Sequence, residues 1–66
     1  MSDAEILAEV KRLVERAGRA RILSALTGKG IGVSTAERIV SGRYSAKPGG
    51  LLRAALLDVI ETNKAS

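Results

Sequence analysis

Three glycines at alternate positions, Gly28, Gly30 and Gly32, run up to Ser34 and Thr35 in the stretch LTGKGIGVSTAERI, residues 26–39. Glycine-rich backbone that opens a helix can hold phosphate. The first amides of a helix have no partner of their own, the helix dipole favours negative charge, and missing side chains let an anion come close. Basic residues bracket this run. The net charge is +4, with four acids to two bases in residues 1–15 and two of each in residues 48–66. Residues 16–47 hold seven bases, Arg16, Arg19, Arg21, Lys29, Arg38, Arg43 and Lys47, against the single acid Glu37. A basic stripe of this kind suits a polyanion.

Spacing argues against a nucleotide as the source of the phosphate. A P-loop needs Gly, four residues and then Gly-Lys-Ser/Thr, whereas Gly28-Lys29 is followed by Gly30. The dinucleotide fingerprint needs a sixth-position glycine where Val33 stands, and both motifs follow a strand. Nucleic-acid backbone fits better. Gly30 and Gly32 would offer amides, and Ser34 and Thr35 hydroxyls at the same helix start. Lys29 and Arg38 would supply attraction at longer range, and Ile31 would turn inward to pin the turn to the core.

Helices must stand on both sides of the glycines to present them. Ser2 and Glu5 have capping-box spacing, and behind them Ile6, Leu7, Val10, Leu13, Val14 and Ala17 recur on one face. A first helix over about residues 3–17 follows, ending near Gly18. Ile22, Leu23 and Leu26 mark a second over roughly 19–27. Ser34 and Glu37 repeat the capping-box spacing and predict a third helix from Thr35, with Ala36, Ile39 and Val40 inward and Gly42 as a left-handed stop. GRYSAKPGG is a loop, and a last helix over about 51–62 is apolar on most of its circumference. Such a helix is either wrapped by the others or shared with a partner. With no strand pattern, the expectation is an all-α bundle of four or five short helices in one domain, residues 1–66.

Gly30-Ile31-Gly32, Thr35-Ala36 and Arg38-Ile39 together resemble the second half of a helix-hairpin-helix motif, with ILSAL (22–26) matching its first helix. The likeness covers about residues 20–42. More loosely, RILSALTGKGIGVSTAERIV with the later LLRAALLDVIE is similar to the C-terminal region of some archaeal superfamily-2 DNA helicases. Helicase motor motifs are absent, so such a chain would be a detached module or a free-standing relative. The resemblance implies binding of duplex or branched DNA without sequence preference, through hairpin amides of Gly30 and Gly32 with help from Ser34 and Thr35. It also implies that the hairpin carbonyls can hold a monovalent cation; no other cofactor is expected. The family often has Pro where this chain has Lys29, and Pro or a polar residue where it has Val33. Family members usually use two hairpins, so a single one suggests a homodimer or a larger DNA-processing protein.

With no Cys and no His, disulfides, zinc-finger ligation and histidine acid–base chemistry are excluded. Asp58 and Glu61 sit one turn apart on a helix without a cleft, the pattern of solvent-facing acids, so an enzyme is not expected. No apolar run nears the roughly 20 residues that span a bilayer, and MSDAEILAEV lacks the pattern of a signal peptide. The expectation is a cytoplasmic, DNA-associated protein. Tyr44 is the lone aromatic and is expected to pack beside the loop rather than stack on bases. Two rival readings remain. In a helix-turn-helix regulator, Glu37, Arg38 and Ser41 would read base edges while Arg43 and Lys47 in GRYSAK met the backbone. In a protein-interaction module, Leu51, Leu52, Leu56 and Val59 would dock a partner.

Overall fold

The computed structural model describes residues 2–64, which form four helices and no strand: α1 Asp3–Ala17, α2 Arg19–Gly28, α3 Val33–Val40 and α4 Gly50–Lys64. The all-α expectation is met with four helices. The domain expectation also takes in residues 1, 65 and 66, which lie outside the described residues.

The capping box that opens α1 forms as its spacing predicts. Ser2 Oγ accepts from the Glu5 amide at 3.2 Å, and the Ser2 amide donates to the Glu5 carboxylate at 3.1 Å. That backbone donation, with a smaller contribution from the Ser2 hydroxyl, holds the Glu5 carboxyl below the usual glutamate range. From this start α1 places Ile6, Val10 and Leu13 fully inside. They meet Ile22 and Leu26 of α2, Ala36, Ile39 and Val40 of α3, and Leu56, Val59 and Ile60 of α4. Helix α1 packs against all three other helices, and α2 packs against both α3 and α4, but α3 and α4 do not pack on each other. A groove is left between them.

Helices α2 and α3 stop in the same way. At the end of α2 the Gly30 amide donates to the Thr27 carbonyl at 3.0 Å and the Ile31 amide to the Leu26 carbonyl at 3.3 Å. At the end of α3 the Gly42 amide reaches Ile39 at 3.2 Å and the Arg43 amide reaches Arg38 at 2.8 Å. Both pairs are Schellman motifs, which need a left-handed residue after the cap. Gly30 with φ 90° and Gly42 with φ 74° supply it, as expected for Gly42. The first motif also turns Ile31 back onto the core beside Leu26, so the predicted pin is present.

The start of α3 differs from the expectation. The helix begins at Val33, two residues earlier than predicted, with Gly32 as its N-cap and no capping side chain. The Ser34–Glu37 capping box therefore does not form. Once the Schellman motif has turned the chain at Gly30, one extended residue, Gly32 at φ −59° and ψ 145°, already leads into helical backbone. Ser34 is then inside the first turn, too late to cap it. Two other bounds shift slightly, since α2 runs on through Gly28 and α4 covers Gly50–Lys64.

Helix α4 is wrapped by its neighbours α1 and α2 along one side. Leu56, Val59 and Ile60 are buried and Leu52 and Leu57 half-buried, yet Leu51 is 90 % exposed. Two of the four apolar residues expected to dock a partner, Leu56 and Val59, are thus core and cannot do so. Tyr44 packs beside the loop as expected, half-buried against the core near Leu7 and Ile39.

Candidate nucleic-acid interface

Two surfaces, both reaching the start of α3, hold most of the residues that the sequence singles out. The first is the groove between the hairpin and α4. Lys29, Gly30, Ile31, Gly32 and Thr35 line it on one side and Leu51, Leu52 and Ala55 on the other. The second is an open basic depression along the outer face of α3, where Ser34, Arg38 and Arg43 meet Arg19, Glu37 and Ser41. Lys47 lies exposed in the loop after α3 and lines neither surface.

The amides at the start of α3 are the polar feature of the hairpin. Gly32, Val33, Ser34 and Thr35 fill the N-cap and first three helical positions, and no backbone or capping partner takes their N–H groups. The first closed bond of the helix runs from the Ala36 amide to the Gly32 carbonyl at 2.9 Å. Four unpaired donors and the positive end of the dipole therefore come together at the start of α3.

The amide roles expected of the two glycines separate here. The Gly30 amide is spent inside the fold on Thr27, so it is not a free donor, because the same turn that presents the hairpin needs that bond. Gly32 keeps a free amide. Its φ of −59° suits any residue, and a Cβ built on it would meet nothing within 4 Å. The bundle accounts for the glycine at 30 but not for the one at 32.

The basic depression sets three guanidinium groups against one carboxylate. Arg19 donates to Ser41 Oγ at 2.9 Å and lies 4.0 Å from the Glu37 carboxylate. Both partners of that ion pair are about half exposed, so it holds Arg19 only weakly and leaves the guanidinium exchangeable. Arg19 belongs to this surface although sequence reasoning placed it only in the general basic stripe. Its signal lay across the tertiary contact of α2 with α3, a distance of 22 residues along the chain.

A second missed contact tempers Lys29. Its ammonium pairs with the Asp58 carboxylate of α4, so Asp58 is not the unpartnered acid its position suggested. The pair is exposed on both sides and bridges the hairpin to α4. No described charged or polar side chain is buried, and no described group of three His, Cys, Asp or Glu residues gathers in metal-binding proximity. No described helix is long and apolar enough to cross a membrane.

Set against known proteins, the chain matches no family model, and no curated protein or solved structure matches it significantly.

Proposed function

We propose that this chain binds the DNA backbone without sequence preference, with the amides of Gly32, Val33 and Ser34 on one phosphate and Arg19, Arg38 and Arg43 on its neighbours. The observation that carries this reading is Gly32. It carries the first of four unpartnered amides, and neither its backbone angles nor its surroundings require a glycine. A close-approaching anion gives that missing side chain a reason. The hydroxyls of Ser34 and Thr35 flank the same helix start, and Lys29 and Lys47 add longer-range attraction.

Contacts to phosphate alone carry no base information, which is why sequence preference is absent from the proposal. One hairpin makes few contacts, so the chain is suited to work beside a second copy or as an accessory module of a larger helicase or repair protein in the cytoplasm. The likeness to the helix-hairpin-helix family supports the same mode and adds the hairpin carbonyls as holders of a monovalent cation. No catalytic step is assigned.

A second reading has one observation behind it. Ser34, Glu37, Arg38 and Ser41 are all exposed along one side of α3, the arrangement a recognition helix needs in the major groove. Fluorescence anisotropy on two unrelated duplexes across a salt series separates the two. Equal affinities with a log–log salt slope of roughly −3, as about three neutralised phosphates give, support backbone binding. A strong preference for one natural sequence would move the assignment to the recognition helix.

A further inference from the structure

Leu51 has no role in the bundle. Every other leucine among the described residues is buried or half-buried, while Leu51 is 90 % exposed. Its backbone, though not its side chain, is fixed. It stands in the first turn of α4, where the Arg53 amide closes on the Gly49 carbonyl at 3.0 Å, and the Lys29–Asp58 pair ties α4 to the hairpin. The leucine thus stands on the wall of the groove whose opposite wall is Gly30, Gly32 and Thr35.

A ligand whose anion sits on the α3 amides brings its next portion onto Leu51, so it must offer negative charge and apolar surface side by side. Intact duplex offers the phosphates but keeps its base faces stacked. A step that is nicked, mismatched or forked offers both: apolar side chains that enter base steps do so at the cost of unstacking, and that cost is least where the stack is already open. We propose that Leu51 is a wedge that enters DNA where the stack is already open, making this chain a binder of interrupted rather than continuous duplex. The inference rests on the backbone-binding reading and adds the structure of the DNA preferred.

Other occupants fit less well. Val33 and Leu51 are the only large apolar side chains exposed among the described residues. Two side chains fall far short of the roughly 800 Å² per partner that a stable protein interface buries. A bilayer surface needs a helix with a whole apolar face to spare, whereas α4 turns Leu56, Val59 and Ile60 into its own core.

The test measures anisotropy of one duplex in three forms, intact, singly nicked and singly mismatched, with the full chain and with Leu51→Ala and Leu51→Met. Wild type should prefer the opened forms by about tenfold, equivalent to about 1.4 kcal/mol. Leu51→Ala should bind all three alike, at the wild-type affinity for intact duplex, and Leu51→Met should keep the preference. Binding of intact duplex with no preference in wild type, or a preference that survives Leu51→Ala, overturns the wedge and leaves backbone binding standing. No binding to any form overturns both. Sedimentation and phosphatidylserine vesicles provide the two remaining arms. A dimer, or vesicle binding, that disappears in Leu51→Ala reassigns the leucine to a second copy or to lipid and overturns the proposal.

Discussion

Replacing Gly32 by serine should strengthen the fold and weaken DNA binding, two effects of opposite sign from one side chain. The residue caps α3 with φ −59° and ψ 145°, angles that serine adopts freely, and a Cβ there meets nothing within 4 Å. Removing a glycine from the unfolded chain at a compatible site stabilises by about 0.4–1 kcal/mol. A serine N-cap improves on glycine by a few tenths of a kcal/mol, because its hydroxyl takes one of the free amides. Together these amount to about 1 kcal/mol, or roughly 4–8 °C in the midpoint of thermal unfolding for a domain of this size.

The same hydroxyl then occupies a donor that the proposal gives to phosphate, and its Cβ stands in the proposed approach. Loss of one hydrogen bond to a charged group, about 1.5–3 kcal/mol, weakens binding by about tenfold or more. Far-UV circular dichroism on heating and anisotropy with duplex DNA measure the two effects. A serine variant that is more stable yet binds as wild type would refute the role given to the α3 amides. One that is less stable would refute the account of the cap. Gly30→Ala provides the contrast: at φ 90° an alanine is strained, and the fold should lose about 1–2 kcal/mol.

Four further outcomes follow from the same geometry. Arg38→Ala and Arg43→Ala should each reduce the log–log salt slope of DNA binding by about one, seen in anisotropy titrations at several salt concentrations. Asp58→Asn should tighten DNA binding and steepen that slope by about one, because it releases Lys29 and removes a negative charge from the groove, while thermal stability barely moves for so exposed a pair. Leu26→Ala, at a fully buried position, should cost about 2–5 kcal/mol, which circular dichroism reads as loss of much or all of the helical signal. The lowered carboxyl of Glu5 contributes stability above its unfolded-state range, and that contribution is lost as pH falls through the folded-state value; Glu5→Gln should flatten this acid-side slope in unfolding measured from neutral pH downward.

What could be read from the sequence depended on how local each determinant is. The α1 cap and the left-handed stop at Gly42 need residues only a few positions apart, and both are present as read. Helical periodicity likewise picked the faces that bury Ile6, Val10 and Leu13. The start of α3 was misread because Ser34 and Glu37 satisfy a local pattern that competes with a stronger constraint. Ile31 must return to Leu26, and that turn delivers helical backbone before Ser34 is reached. Arg19 and Asp58 were missed as members of the site for a different reason. Each meets its partner only after the helices have packed, across 22 residues for Arg19–Ser41 and 29 for Lys29–Asp58, and nothing in the spacing of charges encodes that meeting.

The two halves of the site also differ in how firmly they are held, and this bears on what they can recognise. The α3 amides are fixed because the turn before them is closed by two backbone bonds and pinned by Ile31 against the core. Their geometry should therefore change little when an anion arrives. The guanidinium groups lie on the surface, Arg19 with only weak partners, and can move to follow a backbone. A rigid anion seat with mobile cations beside it tolerates variation in the spacing of successive phosphates, but it gives no means of telling one base pair from another. On the backbone-binding proposal, any selectivity must then come from the shape of the DNA, and Leu51, exposed on the first turn of α4 in the same groove, is the apolar side chain proposed to sense whether the stack is open.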